Sequence, residues 1–150
     1  MLSSGTMNWR MTIGSKKLSG EYAERVRAIP AGGSRVDLPD DLSLDCWRKA
    51  RGHSDVMGRL RWSMPAGTLR TEFHRPEKGR FLHPSEDRSI SIREGARLQG
   101  FPDSYHFPED LAFAMIARQV GNALPVTLAR ALGRVVITSM TGRMPCAASV

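Results

Sequence analysis

The sequence predicts an α+β fold in which a loop-rich region with short strands precedes two or three helices. Two observations carry this prediction. The chain of 150 residues contains 14 Gly and 9 Pro, spread mainly through its first two thirds, and these residues interrupt regular structure there. After His83 the interruptions become fewer and apolar residues recur at helical spacing. With 41% hydrophobic residues, the chain has enough apolar side chains for one modest core.

The front of the chain divides into a leader and an irregular region. Residues 1–19 are polar and lack clear periodicity, so we expect a weakly ordered leader. Residues 21–29 have helical spacing, and the Pro-Ala-Gly-Gly-Ser stretch after them ends that helix. Farther on, residues 67–73 alternate as a short strand does. Residues 20–84 therefore have the character of an irregular recognition region.

Two short helices are predicted next, within a helical segment at 85–138. Ser91 and Glu94 form a capping box, because the Ser side chain can accept from the Glu94 amide while the Glu side chain reaches back. The helix that follows covers 92–99, and the glycine after it supplies a stop. A second helix is predicted at about 111–118.

The longest predicted helix begins near Ala123. Pro125 fits its first turn, where a missing amide hydrogen costs nothing. An apolar stripe then covers about four turns. It consists of Leu124, Leu128, Ala131, Leu132, Val135 and Val136. A stripe of this width must pack against another surface. The residues after the helix, 139–150, form a tail.

The charge of the chain favours a polyanionic partner. The formal net charge is +7 and the pI is about 10.2. Most of the 22 cationic residues are Arg, whose planar guanidinium suits bidentate contacts to phosphate oxygens and guanine edges. Charge alone is equally consistent with an ordinary basic surface.

Composition argues against several classes of protein. Cys46 and Cys146 are too few and too far apart for a zinc cluster or a disulfide framework. The four His residues show no metal-ligand spacing, so we predict no metal site. We find no apolar run long enough to span a membrane and no signal-peptide order at the start. These features favour a cytoplasmic protein that does not act at a membrane.

Two segments late in the chain carry a family resemblance. Arg88–Asp103 reads RSISIREGARLQGFPD, and Gln119–Pro125 reads QVGNALP. In their order and spacing they resemble the ninth and tenth motifs of the DNA (cytosine-5)-methyltransferases. Gly58–Trp62 and Pro65–Thr68 are similar to the segment that closes the target-recognition region in bacterial members. The resemblance extends from about residue 18 to about residue 137.

The resemblance implies a fold, a cofactor and a partner. The chain would be the C-terminal part of a bacterial enzyme, an α+β fragment of an α/β S-adenosylmethionine-dependent methyltransferase, and its partner would be duplex DNA. Gly121, Asn122 and Ala123 would line the S-adenosylmethionine pocket. Gly121 would allow close backbone approach, and Asn122 would lie at a helix start that favours the carboxylate of the cofactor.

The resemblance also implies two further groups of residues. Candidates for DNA contacts are Arg59, Arg61, Thr68, Arg70 and Arg75, with Arg80 as an additional cation. Most of these would position the duplex rather than specify its sequence, because most protein–DNA hydrogen bonds go to phosphate. The ninth motif would act as a structural strut between the recognition region and the catalytic domain, through Arg88, Glu94 and Arg97. Ordinary surface salt bridges are the alternative for these three residues.

The chemistry of the family needs groups that the sequence lacks. A Cys thiolate attacks C6 of a flipped cytosine, a Glu holds N3, and a glycine-rich loop binds the cofactor. Pro145-Cys146 is similar to the Pro-Cys pair of the nucleophile, but it follows the tenth motif and Ala147 stands after it. We therefore predict no catalytic residue in this chain and no methyl transfer by the chain alone.

Three hypotheses remain open from the sequence. The chain is one component of a split methyltransferase whose partner chain carries the catalytic N-terminal motifs, or an inactive truncated remnant, or a non-catalytic DNA-binding module. The apolar stripe and an intact Gly121-Asn122 pair favour the first two hypotheses, because both features serve a cofactor domain.

Overall fold

A computed structural model describes residues 18–49, 52–108 and 110–142. Five helices lie in these ranges, connected by turns and irregular loops. They are α1 (Glu21–Ala28), α2 (Asp45–Lys49), α3 (Ile92–Leu98), α4 (Phe113–Asn122) and α5 (Val126–Thr141). Short 3-10 helices occur at Arg35–Asp37 and Pro76–Lys78. The leader predicted at 1–19 and the tail predicted at 139–150 lie mostly outside the described residues, and Cys146 lies outside them.

The described ranges contain no β-strand. Isolated bridges occur there between Arg59 and Leu82 and between Leu82 and Ser89. The strand predicted at 67–73 is wrong. Its alternation reflects Leu69 and Phe73, which both enter the core. The Phe73 amide, however, donates to the Arg70 carbonyl within a turn, so the segment lacks the hydrogen-bonded neighbour that a strand needs.

Two hydrophobic clusters organise the described residues. The smaller surrounds α1 and consists of Val26, Ile29, Leu38, Met57 and Leu82. The larger joins α3 and α4, and it consists of Leu69, Phe73, Phe81, Ile90, Ile92, Ala96, Phe107, Ile116, Ala117 and Val120. Gly95 permits this packing, because a Cβ there would lie 2.5 Å from the Phe73 ring. The larger cluster therefore holds the loop around Phe73 directly against α3.

The predictions for α1 and α3 are confirmed. The capping box of α3 forms, since the Glu94 amide donates to Ser91 Oγ at 3.2 Å and the Ser91 amide donates to Glu94 Oε2 at 2.6 Å. α4 lies farther along the chain than the predicted 111–118. Its buried face continues to Val120, and this packing extends the helix to Asn122.

α5 begins at Val126 rather than near Ala123, because Ala123 and Pro125 have extended backbone conformations. The predicted apolar stripe forms, but no residue of α5 is buried. Large side chains along it are about half exposed. They include Leu128 at 48%, Leu132 at 51% and Val136 at 56%, and Leu124, just before the helix, is 55% exposed. Within the described residues, this face therefore lacks the packing surface that its pattern requires.

Within the described residues, the stretch Phe113–Thr141, of 29 residues, is long and apolar enough to cross a membrane by length and composition. The sequence had suggested no such run. This stretch is interrupted between α4 and α5, and the 16 residues of α5 rise about 24 Å, less than the roughly 30 Å of a bilayer core. Length and composition are the whole of the membrane signal in the described residues.

Candidate functional site

Arg59 is a buried structural hub. The residue is 4% exposed, and its guanidinium donates to the carbonyls of Val26 and Ile29 near the end of α1, at 2.7 and 2.9 Å. Three acceptors in the loop at 83–87 take its remaining N–H groups at 2.7–2.9 Å. All five of its donors are engaged inside the fold, which argues against the predicted contact of Arg59 with DNA.

Arg80 is held in a similar way. Its Nη1 donates to the carbonyls of Gly32, Gly33 and Arg59 at 2.7, 2.9 and 3.1 Å. Gly58 leaves the room for it, since a Cβ there would lie 2.7 Å from the Arg80 Cβ. Arg80 therefore stabilises the loop that follows α1 through its Nη1.

The remaining predicted DNA contacts lie at the surface. Arg61, Thr68 and Arg70 are exposed. Arg61 lies against Gly32, whose missing Cβ and positive φ of 73° leave space for the guanidinium. The buried Leu69 lies between Thr68 and Arg70, so these two residues stand on a segment that is anchored in the core. The structure thus brings a hydroxyl and a cation together on one anchored segment.

Arg75 is accessible but paired. Its Nη1 lies 3.2 Å from Glu72 Oε1, and Lys78 Nζ lies 3.2 Å from Glu72 Oε2. The hydrogen bond from Lys78 and the charge of Arg75 lower the pKa of the Glu72 carboxyl. Exposed ion pairs of this kind contribute little to stability. Arg75 can therefore exchange the carboxylate for a phosphate at small cost.

The ninth-motif residues form a charge cluster at the start of α3. Arg88 donates from Nη1 and Nη2 to Glu94 Oε2 and Oε1 at 2.8 and 2.9 Å, and from Nε to Glu86 Oε2 at 2.7 Å. Burial by itself would raise the pKa of Glu94, but hydrogen bonds from Arg88 and Ser91 prevail and lower it to about 2. These carboxylates also raise the pKa of Arg88. The cluster ties the loop before α3 to the helix.

His83 and Trp62 extend this cluster toward the surface. His83 Nδ1 accepts from the backbone amides of Ser85 and Glu86, and its Nε2 lies 3.6 Å from Glu94 Oε1. The Trp62 ring meets the His83 ring edge-on at 5.6 Å and is itself 77% exposed. The sequence alone assigned no role to Trp62, because the exposure of its ring is visible only in the structure. The one signal in the sequence is an aromatic residue directly after Arg61.

Arg97 forms the surface ion pair that the sequence left as an alternative. Its Nε and Nη2 donate to the two Asp103 oxygens at 2.6 and 2.9 Å. Both side chains are more than half exposed, so solvent weakens the interaction. The pair connects the end of α3 to the turn that follows, which is an architectural role.

Gly121 makes a close contact, but the contact is with this chain. A Cβ on Gly121 would lie 2.6 Å from the Arg70 carbonyl oxygen and 2.6 Å from Thr71 Cα. The close approach inferred from the sequence therefore exists between α4 and the backbone at Arg70–Thr71. This side of Gly121 is filled by protein and is closed to a cofactor.

Asn122 and Ala123 lie where α4 ends. Asn122 is the last residue of α4 and is exposed, and Ala123 is half-buried. The prediction that Asn122 lies at a helix start is wrong, because α5 begins only at Val126. Helix C-termini carry unpaired carbonyls and partial negative charge, so the end of α4 does not attract a carboxylate. The Asn122 amide can still donate and accept hydrogen bonds to a polar ligand.

Metal ligands do not converge in the part of the chain that the structure describes, since no group of three His, Cys, Asp or Glu residues lies close enough there to hold an ion. Cys46 is exposed on α2. In the described ranges, the site therefore consists of a basic segment, an ion-paired strut and a polar helix junction.

A comparison with known protein families identifies the family to which this chain belongs. The family described as C-5 cytosine-specific DNA methylase matches residues 4–138. The chain belongs to this family, whose enzymes transfer methyl groups with S-adenosylmethionine. The match covers the charge cluster at the start of α3 and the junction between α4 and α5.

Individual relatives agree with the family. The chain is 41% identical over 124 residues to the Type II methylase M.HgiDII of Herpetosiphon aurantiacus, covering 80% of this chain and 35% of the relative. It is 37% identical over 120 residues to the Type II methyltransferase M.Sau96I of Staphylococcus aureus, covering 77% and 27%. It is 46% identical over 136 residues to DNA (cytosine-5)-methyltransferase 3 of Arabidopsis thaliana, covering 79% and 10%. The chain thus spans about a third or less of the relatives that it matches.

Proposed function

We propose that this chain supplies DNA recognition and one wall of the S-adenosylmethionine pocket to a DNA (cytosine-5)-methyltransferase. In this proposal it corresponds to the C-terminal part of the enzyme, and the reaction transfers a methyl group to C5 of cytosine in duplex DNA. The main support is a family match over residues 4–138 in a chain that covers only 35% of its bacterial relative. The bacterial relatives are Type II enzymes, so a cytoplasmic restriction-modification role fits the proposal.

The proposed DNA surface consists of Arg61, Thr68, Arg70 and Arg75. These side chains are exposed and lie on or beside the segment anchored by Leu69. Arginine and threonine donate hydrogen bonds to phosphate oxygens, which position a duplex without reading its sequence. A formal net charge of +7 assists the encounter with a polyanion.

The proposed cofactor wall is the junction between α4 and α5. Asn122 is exposed there and Ala123 is half-buried, so these two residues fit a contact with S-adenosylmethionine. Gly121 lies beside them and supports this wall, because its Cα packs directly against the backbone at Arg70–Thr71. The bound cofactor would supply the methyl group, and this chain would contribute orientation of the cofactor rather than chemistry.

The catalytic groups come from outside these 150 residues in this proposal. The 150 residues lack the nucleophilic Cys, the Glu motif and the glycine-rich loop, so we expect a polypeptide segment outside them to carry the catalytic N-terminal motifs, as a separate partner chain or as another part of the same protein. The exposed stripe that runs from Leu124, just before α5, to Val136 is the surface that this segment would cover. Burial of large aliphatic side chains stabilises an interface by about 1.5–3 kcal/mol each when burial is complete.

Reconstitution tests the proposal. The chain is mixed with a polypeptide that carries the three missing motifs, and methyl transfer from labelled S-adenosylmethionine to duplex DNA is measured. We expect activity from the mixture and none from either chain alone. Turnover by this chain alone would contradict the assignment of the catalytic groups to a partner. Duplex binding without activity in any mixture would favour a DNA-binding module or an inactive remnant.

A further inference from the structure

We infer that Gly121 is a positioning residue that joins the DNA-facing segment to the cofactor wall, so that duplex binding and the placement of Asn122 are coupled. The inference rests on the proposed function. It adds a physical link between two surfaces that would otherwise be independent. Gly121 itself touches neither the duplex nor the cofactor in this scheme.

The link is a contact between main-chain atoms. A Cβ on Gly121 would lie 2.6 Å from the Arg70 oxygen, 2.6 Å from Thr71 Cα and 2.7 Å from the Arg70 carbonyl carbon. Main-chain atoms cannot rotate aside as the end of a long side chain can. Any residue larger than glycine therefore forces α4 and the segment at 70–71 to separate, because close-packed interiors lack slack.

Both sides of this contact are anchored in the same core. Leu69 and Phe73 flank the segment at 70–71 and are buried in the larger hydrophobic cluster. Ala117 and Val120 place α4 in that cluster as well. Since the two elements share one packed core and one backbone contact, a shift of either moves the other.

A third tie connects the contact to the strut helix. Gln99, which follows α3, donates from Nε2 to the Val120 carbonyl at 3.0 Å, immediately before Gly121. The Val120 carbonyl, in the last turn of α4, thus accepts from Gln99 as well as from the Ala123 amide. The position of Gly121 is therefore fixed by α3 and by the core together.

The functional groups lie next to the contact. Arg70 belongs both to the contact, through its backbone, and to the proposed DNA surface, through its exposed side chain. Asn122 directly follows Gly121 and is exposed at the cofactor wall. A duplex that pulls on Arg70 or Thr68 thus acts on Asn122 through one van der Waals contact.

The chain offers a matched control. Gly133 is also a helical glycine, but a Cβ there would meet no atom within 4 Å. Gly133→Ala therefore adds the same methyl group without displacing a neighbour. Only Gly121→Ala alters the contact at Arg70–Thr71, whereas Gly133→Ala adds its methyl group in the interior of α5, where alanine favours the helix.

The experiment uses the uniformly ¹⁵N-labelled chain and a short duplex at low salt, followed by amide chemical shifts. Without DNA, we expect Gly121→Ala to shift the amides of residues 70–72 at least three times as far as Gly133→Ala does. With the wild-type chain, we expect the amides of Gly121 and Asn122 to titrate with the duplex at the same midpoint as Thr71. We expect Gly121→Ala to weaken duplex affinity about five-fold or more, at the lower end of measured site couplings, and Gly133→Ala to stay within about two-fold.

The outcomes separate this inference from the proposed function. Duplex-dependent shifts at residues 68–71 with unchanged Gly121 and Asn122 amides would overturn the coupling and leave DNA recognition intact. Absence of duplex-dependent shifts throughout the chain would overturn the proposed DNA recognition and the coupling with it. If Gly121→Ala does not fold, the wild-type titration still decides.

Discussion

The region around Arg59 and helix α5 are stabilised in opposite ways. Around Arg59, loops without regular secondary structure are held by one buried cation that donates to carbonyls of α1 and to the loop at 83–87. In α5, regular backbone hydrogen bonds form a long helix whose apolar face is exposed. The buried donors of the first region find their acceptors within the chain, whereas the apolar face of the second is exposed among the described residues.

The difference shows how a loop-rich region can be held together without β-strands. In the described ranges no strand supplies a ladder of hydrogen bonds, so guanidinium groups take over that task for carbonyls that would otherwise be buried without donors. Arg35 repeats the arrangement, since it donates to the carbonyls of Trp47 and His53 at 2.9 and 3.0 Å. Several arginines of this basic chain therefore donate hydrogen bonds to backbone carbonyls inside the fold. They are Arg35, Arg59 and Arg80.

The largest expected effect comes from removing the hub. Arg59→Ala leaves several buried carbonyls and the Asp87 carboxylate without their donor. We expect a loss of about 3–5 kcal/mol in the free energy of unfolding, measured by urea denaturation, because buried charge networks are costly to break. Arg61→Ala is the control, since it removes an exposed neighbour, and we expect a change within about 0.5 kcal/mol. Equal effects of the two variants would contradict the assignment of Arg59 as a hub.

A medium effect is expected for the charge cluster that borders the hub. The pKa of Glu94 is lowered to about 2 in the folded chain from an ordinary value of 4.5. The carboxylate therefore stabilises the fold above about pH 4.5, and this contribution is lost as pH falls toward 2. We expect the loss to reach about 2 kcal/mol after allowance for solvent screening of a side chain that is 29% exposed.

Unfolding curves recorded between pH 2 and pH 7 test this expectation. Glu94→Gln should be less stable than the wild type at pH 7 and should lack most of the decline below pH 4.5. Glu21→Gln removes an exposed carboxylate of a surface pair and serves as the control. A wild-type pH profile retained in Glu94→Gln would place the acid sensitivity elsewhere.

The smallest effect on stability is expected in α5, whose apolar side chains are exposed, in contrast to the buried Arg59. Leu128→Gln combined with Leu132→Gln changes side chains that are already about half exposed. Gln is a good helix former, so we expect at most about 0.5 kcal/mol of lost stability per site. In the reconstituted mixture, however, we expect methyl transfer to fall at least about ten-fold through the loss of roughly 1.4 kcal/mol or more of interface energy.

Arg130→Gln, on the same helix, is the matched control for that variant. A double variant that unfolds the isolated chain would show that the stripe is buried within the chain itself. Unchanged activity of the mixture would remove α5 as the partner surface.

Local features of the fold were predictable from the sequence. The capping box of α3 links Ser91 and Glu94, which are neighbours on the first turn, so the pattern alone specified it. The helical spacing of α1 and the apolar stripe of α5 followed in the same way. The strand at 67–73 was not predictable, because alternation marks two buried side chains and says nothing about a hydrogen-bonding neighbour.

By itself, the sequence determined the family resemblance of this protein. It also determined the caps and the amphipathic pattern, because these depend on residues within one or two turns of each other. The tertiary structure decided what Arg59 and Gly121 do. Arg59 meets acceptors up to 33 positions away in the chain, and Gly121 meets the backbone at Arg70–Thr71. A cation can suit a phosphate and a glycine can suit a ligand by residue type. The role of each nevertheless depends on which distant backbone atoms the fold places beside it.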